Sequence, residues 1–191
     1  MVTETKTLYE EVIIAGFGGQ GIILLGKLLA QTAMEAGKEV TYMPAYGAEM
    51  RGGTANSMII ISDDPIATPT VSRPDSLIIM NKASMHKFGS RLKSSGLLIY
   101  NSSLVEPNDL GKLDSDIEIL AIPVDEIAAK LGAIRSANMV ALGAYFQKRN
   151  LFSSQAAAES LKVVLAKRYH KTLPLNTTAL ERGYEFAKKS N

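Results

Sequence analysis

The chain has 191 residues and carries 21 Lys and Arg against 19 Asp and Glu, a formal net charge of +2, with no cysteine. One domain is expected, large enough to bury roughly 70% of the surface its unfolded form exposes. The missing cysteine excludes disulfides, thiolate nucleophiles and cysteine-held zinc or iron–sulfur clusters on this polypeptide, and the balanced, dispersed charge gives no footprint for nucleic acid or membrane.

The opening MVTETKTLYEEV has no apolar signal core and no later run is long enough to span a bilayer, so a soluble, cytoplasmic protein is expected. YEEVIIA (9–15) reads as a buried strand, because its apolar run is continuous and does not alternate. A glycine loop follows, then a helix over 22–36 whose polar residues Lys27, Gln31 and Glu35 lie four apart on one stripe. Gly37 stands where a helix ends, and KEVTYM (38–43) reads as a second strand, for which parallel pairing with the first is the natural outcome.

PAYGAEMRGGTAN (44–56) is a polar, glycine-rich loop leading to the strand SMIIIS (57–62), which the turn formers Asp63 and Asp64 close before a proline. SLIIMN (76–81) and GLLIYN (96–101) flank a helical pattern over 83–94, and IEILAIPV (117–124) adds a strand after a polar connection holding Asp114 and Asp116. From Ser136 the pattern turns helical, over roughly 136–149, 153–170 and 176–189, with TALE at 178–181 matching a capping box. The expected fold is α/β: a Rossmann-like layered sheet, mostly parallel, with helices on both faces and a helical C-terminal region. A single domain spans 1–191, with an α/β core over about 9–135 and the C-terminal helices over about 136–191.

Gly16, Gly18 and Gly21 satisfy G-x-G-x-x-G between a strand and a helix, where a dinucleotide fingerprint belongs. Such a site also needs an acid at the end of the second strand. Here that strand ends in Tyr42, Met43 and Pro44. GIILLGKL (21–28) fits G-x-x-x-x-G-K, yet Leu28 replaces the hydroxyl that reaches magnesium and the four middle residues are apolar and helical. What survives is a helix start with glycine backbones at Gly18, Gly19 and Gly21, open to an anion or serving only tight strand-to-helix packing.

The second loop holds Tyr46, Glu49 and Arg51 before Gly52 and Gly53. In a doubly wound sheet it leaves the same carboxyl edge, where ligands bind. Arg51 suits a bidentate contact to phosphate or carboxylate, or a turn-holding pair with Glu49. His86 and His170 stand alone, which favours surface or helix-end roles, and no residue emerges as catalytic or as a metal ligand. Met139, Leu142, Tyr145 and Phe146 recur at helical spacing after Asn138, as core or as a subunit face, and the apolar first helix points the same way.

Together GFGGQGI, YGAEMRGGTAN before a β run, Pro74-Asp75 before a strand, and ANMVALGA resemble the gamma subunit of 2-oxoacid:ferredoxin oxidoreductases over nearly the whole chain. The resemblance implies a subunit of a complex that oxidatively decarboxylates a 2-oxoacid with coenzyme A, giving acyl-CoA, carbon dioxide and reduced ferredoxin. It implies that thiamine diphosphate, magnesium and iron–sulfur clusters sit on alpha, beta and delta partners and that this chain binds none of them and is inactive alone, forming a homodimer when isolated. The cysteine-free sequence, without a G-D-G magnesium motif, agrees. Gly18, Gly19, Gln20, Gly21, Tyr46, Glu49, Arg51, Gly52 and Gly53 are then expected to border a coenzyme A or subunit-contact site. A stand-alone dinucleotide-binding protein and a structural adaptor without a ligand site are the alternatives.

Overall fold

A computed structural model describes residues 7–47 and 53–190. In chain order these hold β1 (Tyr9–Phe17), α1 (Ile22–Glu35), β2 (Glu39–Tyr46), β3 (Thr54–Ser62), β4 (Ser76–Ile79), α2 (Lys82–Phe88), β5 (Leu97–Asn101) and β6 (Glu118–Ile122). The helices α3 (Val124–Lys130), α4 (Ala137–Arg149), α5 (Ser154–Val164) and α6 (Leu173–Lys189) follow. The sheet runs β2-β3-β1-β4-β5-β6, with β1, β4, β5 and β6 paired in parallel.

The first two strands do not pair as the sequence predicts. After α1, β2 lands one strand away from β1, and the 47–53 connection turns β3 back antiparallel into the slot between them. A hairpin needs no crossover helix, so the short loop decides which strand neighbours β1. This leaves β2 as the sheet edge, which is why Pro44 is tolerated inside it.

Over the central strands β1, β3, β4 and β5 both sheet faces are covered, and that explains their unbroken apolar runs, whereas the edge strands β2 and β6 are largely exposed. Val12, Ile14, Ile59, Ile61, Ile78 and Ile99 join the core that includes α1, α4, α5 and α6, while Ile13, Ile60, Leu77, Ile79 and Leu98 pack with Met85 and Phe88 of α2 on the other side. Met139, Leu142, Tyr145 and Phe146 are wholly buried within the chain, so that stripe is core and no subunit face is needed to cover it.

α4 matches the helix expected over 136–149, but the second C-terminal helix stops and the third starts elsewhere than the sequence predicts. α5 ends at Val164, a 3-10 segment spans Lys167–Thr172, and α6 begins at Leu173 with Pro174 in its first turn, a favoured place for proline. TALE therefore lies inside α6 and caps nothing: the Thr178 hydroxyl donates to the Pro174 carbonyl one turn back, at 3.0 Å. The helix expected over 83–94 is α2 plus a 3-10 turn at Gly89–Arg91, and α3 lies where the sequence reading had no helix.

At the amino edge of the sheet Asp75 accepts the Glu11 N–H at 2.9 Å, and Lys93 joins both carboxylates at 2.8 and 2.9 Å. Desolvation works against the Lys93 charge, but its bonds to Glu11 and Asp75 outweigh it and raise the pKa above the ordinary value. The Pro74-Asp75 pair thus sets the parallel register of β4 on β1.

Candidate functional site at the carboxyl edge

β1 ends at Phe17 opposite Thr54 of β3, so the loop after β1 and the hairpin loop before β3 leave the sheet side by side. They touch: the Gly18 N–H donates to the Gly53 carbonyl at 3.0 Å. Gly19 (φ 101°) and Gly21 (φ 74°) both take the left-handed conformation that strains any side chain. Gly21 is also the residue from which α1 starts, and a Cβ there would overlap the Asn138 amide. Asn138, buried at the start of α4, donates through Nδ2 to the Gly21 carbonyl at 3.3 Å.

Gln20 braces the loop from within. Its Oε1 accepts from the Phe17 N–H at 2.7 Å and from Asn81 Nδ2 at 3.1 Å, while its Nε2 donates to the Met80 carbonyl at 3.1 Å. Asn81 in turn caps α2 by accepting from the Ser84 N–H at 2.8 Å. The glycine loop, the end of β4 and the start of α2 are therefore one hydrogen-bonded unit. Gln20→Ala removes the acceptor for Phe17 and is expected to cost about 1–3 kcal/mol locally. Faster amide exchange at Phe17 would show this; unchanged protection would reject the brace.

Above the loop lies an open groove of about 420 Å³, lined by Phe17, Gly18, Gly19, Ile22, Lys27 and Tyr46 among others. The N–H groups of Gly19 and Gly21 reach no acceptor among the described residues and, with the N-terminal end of α1, give the groove a positive lining that suits an anion or an approaching backbone. Tyr46 is 71% exposed at the rim. Behind it the Tyr42 hydroxyl donates to the Ile23 carbonyl at 2.9 Å, and burial pushes the Tyr42 phenol pKa up.

Of the residues expected here, Gly18, Gly19, Gly21, Tyr46 and Gly53 come together around the groove and the loop contact beside it. Gln20 turns inward, toward the end of β4. Glu49, Arg51 and Gly52 lie outside the described residues. Asn81, Asn138, Lys27 and Arg135 were not singled out as site residues. A polar residue at the seam between a strand or loop and a helix, as Asn81 and Asn138 are, was the available signal.

The fold also disposes of the two nucleotide motifs. β3 separates β2 from β1, so the end of β2 stands two strand spacings, about 10 Å, from β1. An acid there would not reach a ribose as it does when the two strands are neighbours. Leu28 is fully buried in the core and cannot stand in for a magnesium-binding hydroxyl. His86 is exposed in the last turn of α2, and His170 Nε2 lies 3.0 Å from the Leu165 carbonyl. Among the described residues no cluster of His, Asp or Glu could hold a metal ion, and no helix is long and apolar enough to cross a membrane.

An α/β domain with two glycine loops in contact at the carboxyl edge of its sheet belongs to the broad class of open α/β folds, in which that edge is the usual place for a ligand. Residues 11–186 match the family described as pyruvate ferredoxin/flavodoxin oxidoreductase, and the chain belongs to that family. It is 33% identical over 180 residues to the ketoisovalerate oxidoreductase subunit VorA of Methanothermobacter thermautotrophicus, covering 94% of this chain but 36% of that one. The chain thus spans about a third of the length of this relative.

Two solved structures share the fold. The gamma subunit of a keto/oxoacid ferredoxin oxidoreductase from Geobacter sulfurreducens is 29% identical with a TM-score of 0.76, over 94% of this chain and 99% of that one. The 2-oxoglutarate:ferredoxin oxidoreductase of Magnetococcus marinus, solved with 2-oxoglutarate, coenzyme A and succinyl-CoA bound, is 27% identical with a TM-score of 0.80, over 95% of this chain and 31% of that one.

Proposed function

We propose that this chain is the gamma-type subunit of a 2-oxoacid:ferredoxin oxidoreductase, a complex that converts a 2-oxoacid and coenzyme A to acyl-CoA, carbon dioxide and reduced ferredoxin. The observation that supports the reading is the contact between the two motifs that resemble this family: Gly18 of the first bonds to Gly53 of the second, beside a groove lined by Gly18, Gly19, Gly21 and Tyr46, where the Gly19 and Gly21 N–H groups reach no acceptor among the described residues. Full-length similarity to a free-standing gamma subunit supports the same assignment. A groove of this lining is suited to the phosphates of coenzyme A or to the backbone of a partner subunit.

The residues of this chain do not fit the redox groups such a reaction needs. It has no cysteine to hold a cluster and no G-D-G magnesium motif for thiamine diphosphate, which fits the family resemblance, in which both groups sit on alpha, beta and delta partners. The contribution of this chain is binding and placement, in trans, of what reacts elsewhere.

The test is reconstitution with those partners in an assay of coenzyme A-dependent ferredoxin reduction. Omitting this chain abolishes turnover if the reading holds. Arg51→Ala is expected to raise the apparent KM for coenzyme A by about tenfold, the scale of one charge-assisted phosphate contact. An unchanged KM rejects a coenzyme A role for Arg51, and full turnover without the chain rejects the subunit assignment.

A further inference from the structure

Arg135 lies in the 3-10 turn Ile134–Ser136 that leads into α4, and it forms no hydrogen bond or ion pair among the described residues. Its side chain is exposed, yet it borders three adjoining clefts. One, of about 180 Å³, is bounded by Gly19, Gln20, Met80 and Asp125. A second, of about 300 Å³, runs across Leu24 to Leu165, Tyr169 and Asn176, and a third, of about 280 Å³, lies against Ala133, Thr172 and Leu175.

The clefts are linked by shared walls. Asn138 lines the first two, and Leu24 lines both the second and the groove over the glycine loop. A continuous surface therefore leads from the glycine backbones past the Arg135 guanidinium to the exposed ring of Tyr169. Asp125 shares the Gly19 cleft, where its Oδ2 accepts from Asn101 Nδ2 at 2.8 Å. Arg135 and Gly19 border the same cleft, and neither the Arg135 side chain nor the Gly19 N–H has a partner among the described residues.

We propose that Arg135 is the anion anchor of this surface and binds a phosphoryl group of an extended ligand whose apolar part lies over Leu24 and Leu165 toward Tyr169. A planar guanidinium fork grips two oxygens of a phosphoryl group, and a third remains for the Gly19 N–H, which borders the same cleft and has no acceptor among the described residues. A carboxylate, with its two oxygens in one plane, would satisfy the fork and leave that N–H unused. The pairing of a cation with an apolar trough selects a phosphorylated ligand with a long, weakly polar arm. The inference rests on the coenzyme A reading for the identity of the ligand, and on the clefts alone for the role of Arg135.

Calorimetric titration of the full chain, and of its complex with partner subunits, with coenzyme A, pantetheine and inorganic pyrophosphate tests this against Arg135→Gln and Arg135→Lys. Arg135→Gln is expected to weaken coenzyme A and pyrophosphate by about tenfold or more and to leave pantetheine unchanged, with Arg135→Lys recovering part of the loss. Because Arg135 is exposed and unpaired, both variants should melt with the wild type. Equal affinity of wild type and Arg135→Gln for both phosphorylated probes overturns the anchor, as does failure of the wild type to bind either. Arg135-dependent pyrophosphate binding without coenzyme A binding upholds the anchor and rejects the coenzyme A reading.

Discussion

Gly143→Ala and Gly183→Ala are each expected to lower stability by about 3 kcal/mol, the upper range for overpacking a closed contact. For a chain of this size that is a fall in melting temperature of about 6–12 °C. The two glycines face each other's helices at the α4–α6 crossing: a Cβ on Gly143 would run into the Leu180 carbonyl, and one on Gly183 into the Val140 carbonyl. Both obstacles are helix backbone, which cannot rotate aside as a side chain can. The helices would have to separate, opening contacts around Tyr145, Phe146 and Leu180, all wholly buried.

The same displacement should reach the glycine loop, because the start of α4 holds Gly21 through Asn138. Denaturant unfolding of each variant measures the effect, and a change within 0.5 kcal/mol, the scale of an ordinary surface substitution, would rule out the close crossing. The double variant should cost less than the sum, since one separation relieves both clashes.

Arg149→Met is expected to destabilise the chain by about 3 kcal/mol at neutral pH by leaving the Glu10 carboxylate buried without its cation. Glu10 is 7% exposed and shares one oxygen among Ser76 Oγ at 2.6 Å, Arg149 Nε at 3.0 Å and the Tyr145 hydroxyl at 3.4 Å. Arg149 also donates to Ser76 Oγ at 2.8 Å and to the Asp75 carbonyl at 2.5 Å, tying the end of α4 to the amino ends of β1 and β4. Burial, then the Glu10 charge, pushes the Tyr145 phenol well up, so it remains a donor.

The pH dependence has a definite sign. Burial raises the Glu10 pKa above its ordinary value of 4.5 despite the opposing Arg149 charge, so the folded state holds that proton more tightly than the unfolded chain does. The stability this contributes is full below 4.5 and is lost as pH rises through the folded pKa. Without Arg149 the folded pKa moves higher, so the loss becomes larger and extends further up in pH. Arg149→Met should therefore recover part of its deficit in mildly acidic buffer, relative to wild type, whereas a deficit independent of pH would show that only packing was lost.

Most strands were legible because each is an unbroken apolar run between glycine, proline or aspartate punctuation, as in Val12–Ala15, Ile59–Ile61 and Leu77–Ile79. The burial of both sheet faces, which makes those runs continuous, also makes them easy to find. Helix ends were less legible where local signals competed. α6 starts at Leu173, three residues before the expected start at 176, with Pro174 in its first turn, and TALE resembles a cap that the preceding turn had already made unnecessary. α3 is seven residues long, too short for its periodicity to stand out from the strand before it.

Near the groove, the turn at Gly18, Gly19 and Gly21 was legible because glycine after a strand and before a helix has few other uses. The inward turn of Gln20 was not, because its partners Met80 and Asn81 lie about sixty residues away along the chain. Arg135 was missed for the same reason, since nothing near it in sequence marks it as the border of clefts built from four other segments.

The amino-acid sequence by itself determined the layered α/β class, the absence of thiolate chemistry, the glycine-shaped helix start and membership of the family, all properties carried by residue type and short-range spacing. Only the tertiary structure decided that β3 stands between β1 and β2, that Gly18 meets Gly53, that Gln20 braces the loop and that Gly143 and Gly183 let two helix backbones touch. Those depend on which distant segments share space, a choice made by hairpin closure, burial of both sheet faces and backbone contact, none of which a local pattern encodes.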